Sequence, residues 1–327
     1  MPVRPPNFHP PFNVVRVAYV DFHATDLARS MAFWVEALGL IVTEETSDVL
    51  YLRGLEERNH HSVALRRSSE PDVTAVGFKV FSEEDLDLAA DYCASRRLPC
   101  RFVEKPAQGR TLATTDPVGT PIEFFFKMEQ VPSMLRQYGA YRGARIQRID
   151  HVNVFTPEVQ TSYDFFNDIG FRTTEYAAED GTDQIWSVWL QRKGNVHDLA
   201  FTNGRGPRFH HVGVWVSSVT DIIHMCDVLS TTGYLANMER GPGRHGLSNA
   251  FFLYLRDPDG HRVELYTSDY LTIDPDHEPT RWELRDPQRQ TLWGAPAPRS
   301  WFEEGSLFPG QPVREPVMNA QPLVAPW

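Results

Sequence analysis

Cysteine is scarce in this chain, long apolar runs are missing, and positive charge is in the minority. The three cysteines among 327 residues, Cys93, Cys100 and Cys226, form no CxxC pair. That excludes a disulfide framework and fits reduced, buried thiols in the cytoplasm. No apolar stretch approaches the roughly 20 residues a membrane span needs. The opening MPVRPPNFHPPFNVV lacks an apolar core followed by small residues, so it reads as a proline-rich arm rather than a secretory signal. With 32 basic residues against 43 acidic, the formal charge is −11, and no basic run appears, which argues against nucleic-acid binding. What is present is an ordinary globular balance, 41% hydrophobic and 23% charged, with length enough for two well-filled domains.

An internal repeat organises that length. The β-branched and aromatic run Arg16–Phe22 matches Arg148–Val154, and both read as strands. Each leads into a helix, opening at Thr25-Asp26 and stopping at Gly39 in one copy, opening at Thr156-Pro157 and stopping at Gly170 in the other. Ala75-Val76-Gly77-Phe78 then matches His211-Val212-Gly213-Val214, each followed by a capping pair, Ser82 with Asp85 or Ser218 with Asp221. Finally Asp116-Pro117-Val118-Gly119 matches Asp257-Pro258-Asp259-Gly260, turns that lead into strands holding Glu123 or Glu264. The expectation is an α+β fold of two domains, 14–128 and 146–268. Each would hold two βαβββ modules in a curved mixed sheet, joined by a linker at 127–145. Between Leu271 and Trp327 lie 10 of the 25 prolines and four of the eight tryptophans. Tryptophans need packing partners, so 269–327 is expected to be an ordered irregular tail, serving as a lid or a subunit contact.

Aligning the halves exposes a difference. Where the first has Tyr19, Ala75 and Glu123, the second has His151, His211 and Glu264. A lone strand histidine is more often structural than a ligand. Two imidazoles and a carboxylate acquired together, however, form a facial set for a divalent cation and leave the opposite coordination face open. His197 titrates near neutrality and suits proton transfer, although the first half has His61 at the matching position. Glu239–Gly246 reads as a loop crowding Arg240, Arg244 and His245, either a carboxylate site or a solvated basic turn.

These residues resemble the type I extradiol dioxygenases of the vicinal oxygen chelate superfamily. The likeness runs from about Val15 to Trp301 and is most specific in Gly204–Val212, Arg240–Gly246, Asn249–Tyr254 and Asp257–Tyr266. It implies His151, His211 and Glu264 as ligands of Fe(II), or of Mn(II) as in some relatives, with His210 supporting its neighbour or the fold. His197 matches the acid–base histidine, Asn153 and Trp189 line the dioxygen side, and His245 and Tyr254 stand beside the bound catecholate. Arg240 and Arg289 match positions associated with a substrate carboxylate, but Gln290 stands where a second arginine is expected. The implied activity is extradiol cleavage of a catechol with insertion of both atoms of O2. The expected conversion is 3,4-dihydroxyphenylacetate to 5-carboxymethyl-2-hydroxymuconic semialdehyde, by a cytoplasmic homotetramer. Cleavage of another catechol, a metal-dependent reaction without dioxygen, or a binding protein of the same fold are the alternatives.

Overall fold

Each run picked out by the repeat becomes a strand, followed by one helix and three further strands. In the computed structural model, which describes residues 2–322, the first module comprises β1 (Val14–Ala24), α1 (Leu27–Met31), β2 (Ile41–Glu45), β3 (Val49–Arg53) and β4 (Val63–Arg67). The second holds β5 (Val73–Val80), α2 (Glu84–Ser95), β6 (Cys100–Lys105), β7 (Gly109–Thr115) and β8 (Pro121–Phe125). The third holds β9 (Arg148–Thr156), α3 (Val159–Asp168), β10 (Arg172–Ala178), β11 (Ile185–Gln191) and β12 (Leu199–Asn203). The fourth holds β13 (Arg208–Trp215), α4 (Val219–Thr231), β14 (Met238–Arg244), β15 (Phe251–Arg256) and β16 (Arg262–Thr267). The tail adds β17 (Thr280–Glu283), α5 (Pro287–Gln290) and α6 (Arg299–Glu303), and its Trp327 lies outside the described residues.

Modules pair through their first strands. Antiparallel β1 and β5 centre an eight-stranded sheet, β2-β3-β4-β1-β5-β8-β7-β6. Antiparallel β9 and β13 centre a nine-stranded one, β14-β15-β16-β13-β9-β12-β11-β10-β17. Each module also returns its last strand parallel to its first. The expected α+β architecture is therefore present. The register repeats as well: Tyr19, Gly77 and Glu123 stand abreast in one sheet, His151, Gly213 and Glu264 in the other.

Four local expectations need correction. Asp26, not Thr25, caps the first helix by accepting from the Ala28 and Arg29 amides, and that helix continues as a π-helix through Ala32–Ala37. The third-module helix starts at Val159, because β9 stays extended and paired as far as Thr156. The expected loop at Glu239–Gly246 is largely edge strand β14, whose pairing with β15 breaks register twice. An edge position tolerates its glycines and proline because one side needs no ladder partner. The Ser82–Asp85 capping pair forms in both directions, whereas Asp221 turns away from Ser218 to pair with Arg145.

The halves interlock. One contiguous apolar core draws on both, with Phe22 on Phe209 at 5.5 Å and Phe78 on Phe166 at 5.8 Å between ring centres. Buried carboxylates reach across in pairs. Asp198 Oδ1 accepts the Val17 N–H at 3.0 Å, and Glu57 Oε1 accepts that of Ile149, the repeat equivalent, at 3.2 Å. Likewise Asp116 accepts the Ser162 hydroxyl at 2.9 Å and Asp257 the Trp34 indole at 3.0 Å. Asp198 also accepts the Arg192 amide at 2.7 Å and the Lys193 ammonium at 3.0 Å. Asp198→Ala would strand these donors in the interior and is expected to lower stability by about 3 kcal/mol. Urea denaturation checks this, and a midpoint unchanged from wild type would contradict the clasp.

Candidate metal centre

Strand alternation puts the three candidate ligands on one face of the second sheet. His151 on β9, His211 on β13 and Glu264 on β16 are all buried, and one donor atom from each lies within 4.8 Å of the others. His151 Nε2 stands 3.2 Å from His211 Nε2 and 2.9 Å from Glu264 Oε2, and His211 Nε2 stands 3.1 Å from the same oxygen. Donors about 2.1 Å from a shared octahedral cation stand about 3 Å apart when adjacent, so this spacing is that of three facial ligands. Gly213 makes room: a Cβ there would lie 2.2 Å from the His151 ring, and one on Gly77 would lie 2.0 Å from the Tyr19 ring.

Hydrogen bonds fix which nitrogens are free. His210 Nε2 donates to the Trp301 carbonyl at 2.9 Å, so its Nδ1 must accept. His211 Nδ1 therefore donates to it at 2.5 Å, which leaves the His211 Nε2 lone pair facing Glu264. His151 Nδ1 meets Asp150 Oδ2 at 2.9 Å, and Asn195 Nδ2 braces that carboxylate at 3.3 Å. Fully buried Arg262, paired with Glu239, donates to the His210 carbonyl at 3.0 Å and so steadies β13.

The two halves balance their buried glutamate differently. In the first, the Lys105 ammonium sits 2.6 Å from Glu123 and 3.1 Å from Asp21, and Tyr19 donates to Glu123. No lysine or arginine pairs with Glu264 among the described residues; its Oε1 has no hydrogen bond and lies 3.5 Å from His245 Nε2. Burial lowers the His245 pKa, so that ring is a weak source of charge. Burial opposes charge on His151 too, but the Asp150 and Glu264 hydrogen bonds prevail and raise it to about 9. Burial takes His211 down to about 4. The donor set, with no lysine or arginine paired to Glu264 among the described residues, fits a divalent cation.

A cleft opens over this face. The sequence-predicted Asn153, Trp189, His197, His211, His245, Tyr254, Glu264 and Arg289 all line it, whereas His151 and Arg240 stand behind the wall. The His197 ring lies 4.0 Å from that of His151, its Nδ1 is buried without a partner, and burial holds its pKa well below the usual histidine value. Tyr254 O–H lies 3.2 Å from His245 Nε2, and His245 Nδ1 donates to the Gln290 carbonyl, so Nε2 accepts from the tyrosine. Arg240 stacks 5.0 Å from the Trp301 ring and donates to the Gln290 carbonyl at 3.1 Å, while its Nε and Nη1 are unmet. Arg289 is 1% exposed, with Nε and Nη2 unmet. Burial lowers both guanidiniums to about 10, Arg240 adding to the effect on Arg289. Arg244, by contrast, points outward to Asn249.

Sequence reasoning missed Trp186, Ser187, Thr202, Leu247, Ser248, Tyr266 and Trp301 as lining residues. Period-two spacing from Glu264 could have found Tyr266. Trp186 and Trp301 carry no such signal, since tertiary packing alone brings them in.

The profile of the Glyoxalase/Bleomycin resistance protein/Dioxygenase superfamily matches residues 16–124 and 148–265. The manganese-dependent 2,3-dihydroxybiphenyl 1,2-dioxygenase of Geobacillus genomosp. 3 is 28% identical over 299 residues, 86% of this chain and 94% of that one. Homoprotocatechuate 2,3-dioxygenase from Brevibacterium fuscum, solved as an anaerobic complex with 3,4-dihydroxyphenylacetate, is 39% identical. It superposes with a TM-score of 0.90 over 95% of this chain and 99% of that one. The Arthrobacter globiformis homoprotocatechuate 2,3-dioxygenase is also 39% identical, with a TM-score of 0.91 over 94% and 98%.

Two outcomes follow from the ligand hydrogen bonds. His210→Phe removes the acceptor that sets the His211 tautomer and should weaken Mn(II) or Fe(II) affinity about 10–100-fold in chelator competition. Unchanged affinity would contradict the relay. Because the His151 pKa of about 9 must be overcome, metal uptake at neutral pH should release a proton and weaken as pH falls. Calorimetry in two buffers of different ionisation enthalpy reads this directly; no buffer dependence would refute it.

Proposed function

Because the chain belongs to the Glyoxalase/Bleomycin resistance protein/Dioxygenase superfamily and is an extradiol ring-cleaving dioxygenase, we propose that its substrate is a catechol with a short carboxylate side chain, 3,4-dihydroxyphenylacetate foremost. The observation that carries this is the pair of buried guanidiniums, Arg289 in the cleft wall and Arg240 behind it, with four N–H-bearing nitrogens unmet. Buried cations without an acid partner are costly unless a ligand supplies the anion. A carboxylate there would point the catechol ring toward His211 and Glu264. Gln290 contributes its backbone carbonyl rather than a third charge, holding His245 and Arg240 in place.

His151, His211 and Glu264 would hold Fe(II) or Mn(II), which would supply Lewis acidity favouring catechol deprotonation and a route for electrons to dioxygen. The chain's own groups do the rest. His197, kept neutral by burial, accepts a proton from the catechol and returns it later in turnover. Tyr254, donating to His245, supports the catecholate oxygen on that side. Asn153, whose Oδ1 accepts from Thr202 at 3.1 Å, keeps its Nδ2 available to the dioxygen side, and Trp189 excludes water there. The division of labour follows the repeat, with 14–128 as support, 146–268 as the catalytic part and 269–327 closing the cleft through Trp301. A cytoplasmic homotetramer completes the proposal; the three unbridged cysteines support the compartment, and the resemblance supports the assembly.

With Fe(II) loaded, oxygen uptake with a yellow ring-opened product is expected on 3,4-dihydroxyphenylacetate, and His211→Ala should lose metal and turnover together. Arg289→Ala should raise KM for 3,4-dihydroxyphenylacetate about 100-fold while leaving KM for unsubstituted catechol within a few-fold. Equal effects on the two substrates would reject the carboxylate role.

A further inference from the structure

Glu175 lies on β10, away from the metal ligands, and is 2% exposed. Among the described residues no basic side chain offsets its charge, and burial raises its pKa. Instead three donors from separate segments converge on it: the Ser248 amide at 2.7 Å, the Tyr270 hydroxyl at 2.6 Å and the Trp282 indole at 2.6 Å. A buried, unpaired carboxylate is an expensive way to join segments that an apolar contact could hold.

What it holds is unusual backbone. Ser248 and Asn249 both have φ of 56°, the left-handed region that residues with a Cβ occupy only under constraint. The turn they form carries Leu247 and Ser248 into the cleft wall. There Leu247 packs with Trp189 and Ala200, against which Trp282 also packs, and Trp189 is the cross-strand partner of Glu175 itself. One carboxylate thus binds the turn by its amide and the adjoining wall by its tryptophan. Ala200 is the strand partner of Asn153, and Leu247, Trp189, Asn153 and His197 all line the cleft.

We propose that Glu175 is a positioning residue that locks the Leu247–Asn249 turn against Trp189 and Trp282 and so shapes the dioxygen side of the cleft. The inference rests on the dioxygenase activity proposed above for its kinetic consequence, but not for its structural one. Glu175→Leu is similar in size and removes both acceptor oxygens, and with them all three hydrogen bonds. Glu175→Gln keeps an amide oxygen for Ser248 and loses only the match to one of the other donors. Trp282→Phe removes a single donor.

Two measurements on the full chain decide it. In hydrogen–deuterium exchange, the amides of 246–250 should exchange at least about tenfold faster in Glu175→Leu, and near the wild-type rate in Glu175→Gln. With Fe(II) loaded, Glu175→Leu should raise KM for O2 about fivefold and leave KM for 3,4-dihydroxyphenylacetate within about twofold, with Gln restoring most of the difference. Wild-type exchange in Glu175→Leu, or equal rises in both KM values, overturns the proposal. If Glu175→Leu fails to fold, Trp282→Phe must show the same selectivity for O2 at smaller size, and its absence counts equally against the role. Should no catechol be turned over by the wild type, the substrate assignment falls while the exchange result still decides what Glu175 does.

Discussion

A carboxylate buried at the same register in both sheets needs a positive partner, and the two halves supply it differently. In the first, Lys105 reaches Glu123 and closes the position with a side chain of the protein itself. In the second, no lysine or arginine reaches Glu264 among the described residues; two imidazole nitrogens and His245 face it, and the proton held on His151 is the charge that a bound cation would replace. The repeat holds two equivalent frames, and this one electrostatic demand separates them. The surrounding groups follow from it: Asp150 and His210 turn the imidazoles, Gly213 clears space for the His151 ring, and Arg262 holds β13, the strand that carries His211.

The same accounting applies further out. Arg240 and Arg289 carry positive charge into the interior without an acid to meet it, the mirror image of Glu264. A metal on one side of the cleft and a carboxylate-bearing ring between them would satisfy all three. A glyoxalase-like reaction would leave the guanidiniums unexplained, and a binding protein would have no use for ligand imidazoles braced by Asp150 and His210. Linking this cleft to the rest of the chain are the reciprocal clasps between halves, among which Asp198 joins the first strand of the supporting half to Lys193 beside Asp150.

Much of this was legible in the sequence because β-structure has a period of two and the repeat supplied an internal alignment. The module order and the pairing of Tyr19, Ala75 and Glu123 with His151, His211 and Glu264 followed from local pattern. So did the correspondence of His61 with His197, since each ring lies against the first-strand residue of its half. Local pattern failed where long-range pairing overrode it: Gly- and Pro-rich β14 is a strand because β15 and the sheet edge admit it, and the third-module helix waits until β9 has finished pairing. Trp186, Trp301 and Glu175 could not be assigned from sequence at all, since their meaning lies in distant contacts, from Glu175 with Ser248 at a separation of 73 residues to Trp186 with Ala320 at 134.

One cation is expected in this duplicated chain, in its second half, because Lys105 reaches Glu123 in the first whereas no lysine or arginine among the described residues pairs with its counterpart Glu264. Anomalous diffraction from crystals grown with Mn(II) tests it most directly. A single peak is predicted between His151 Nε2, His211 Nε2 and Glu264, with none between Tyr19 and Glu123. A peak in the first half, or none at the second-half triad, would contradict the account.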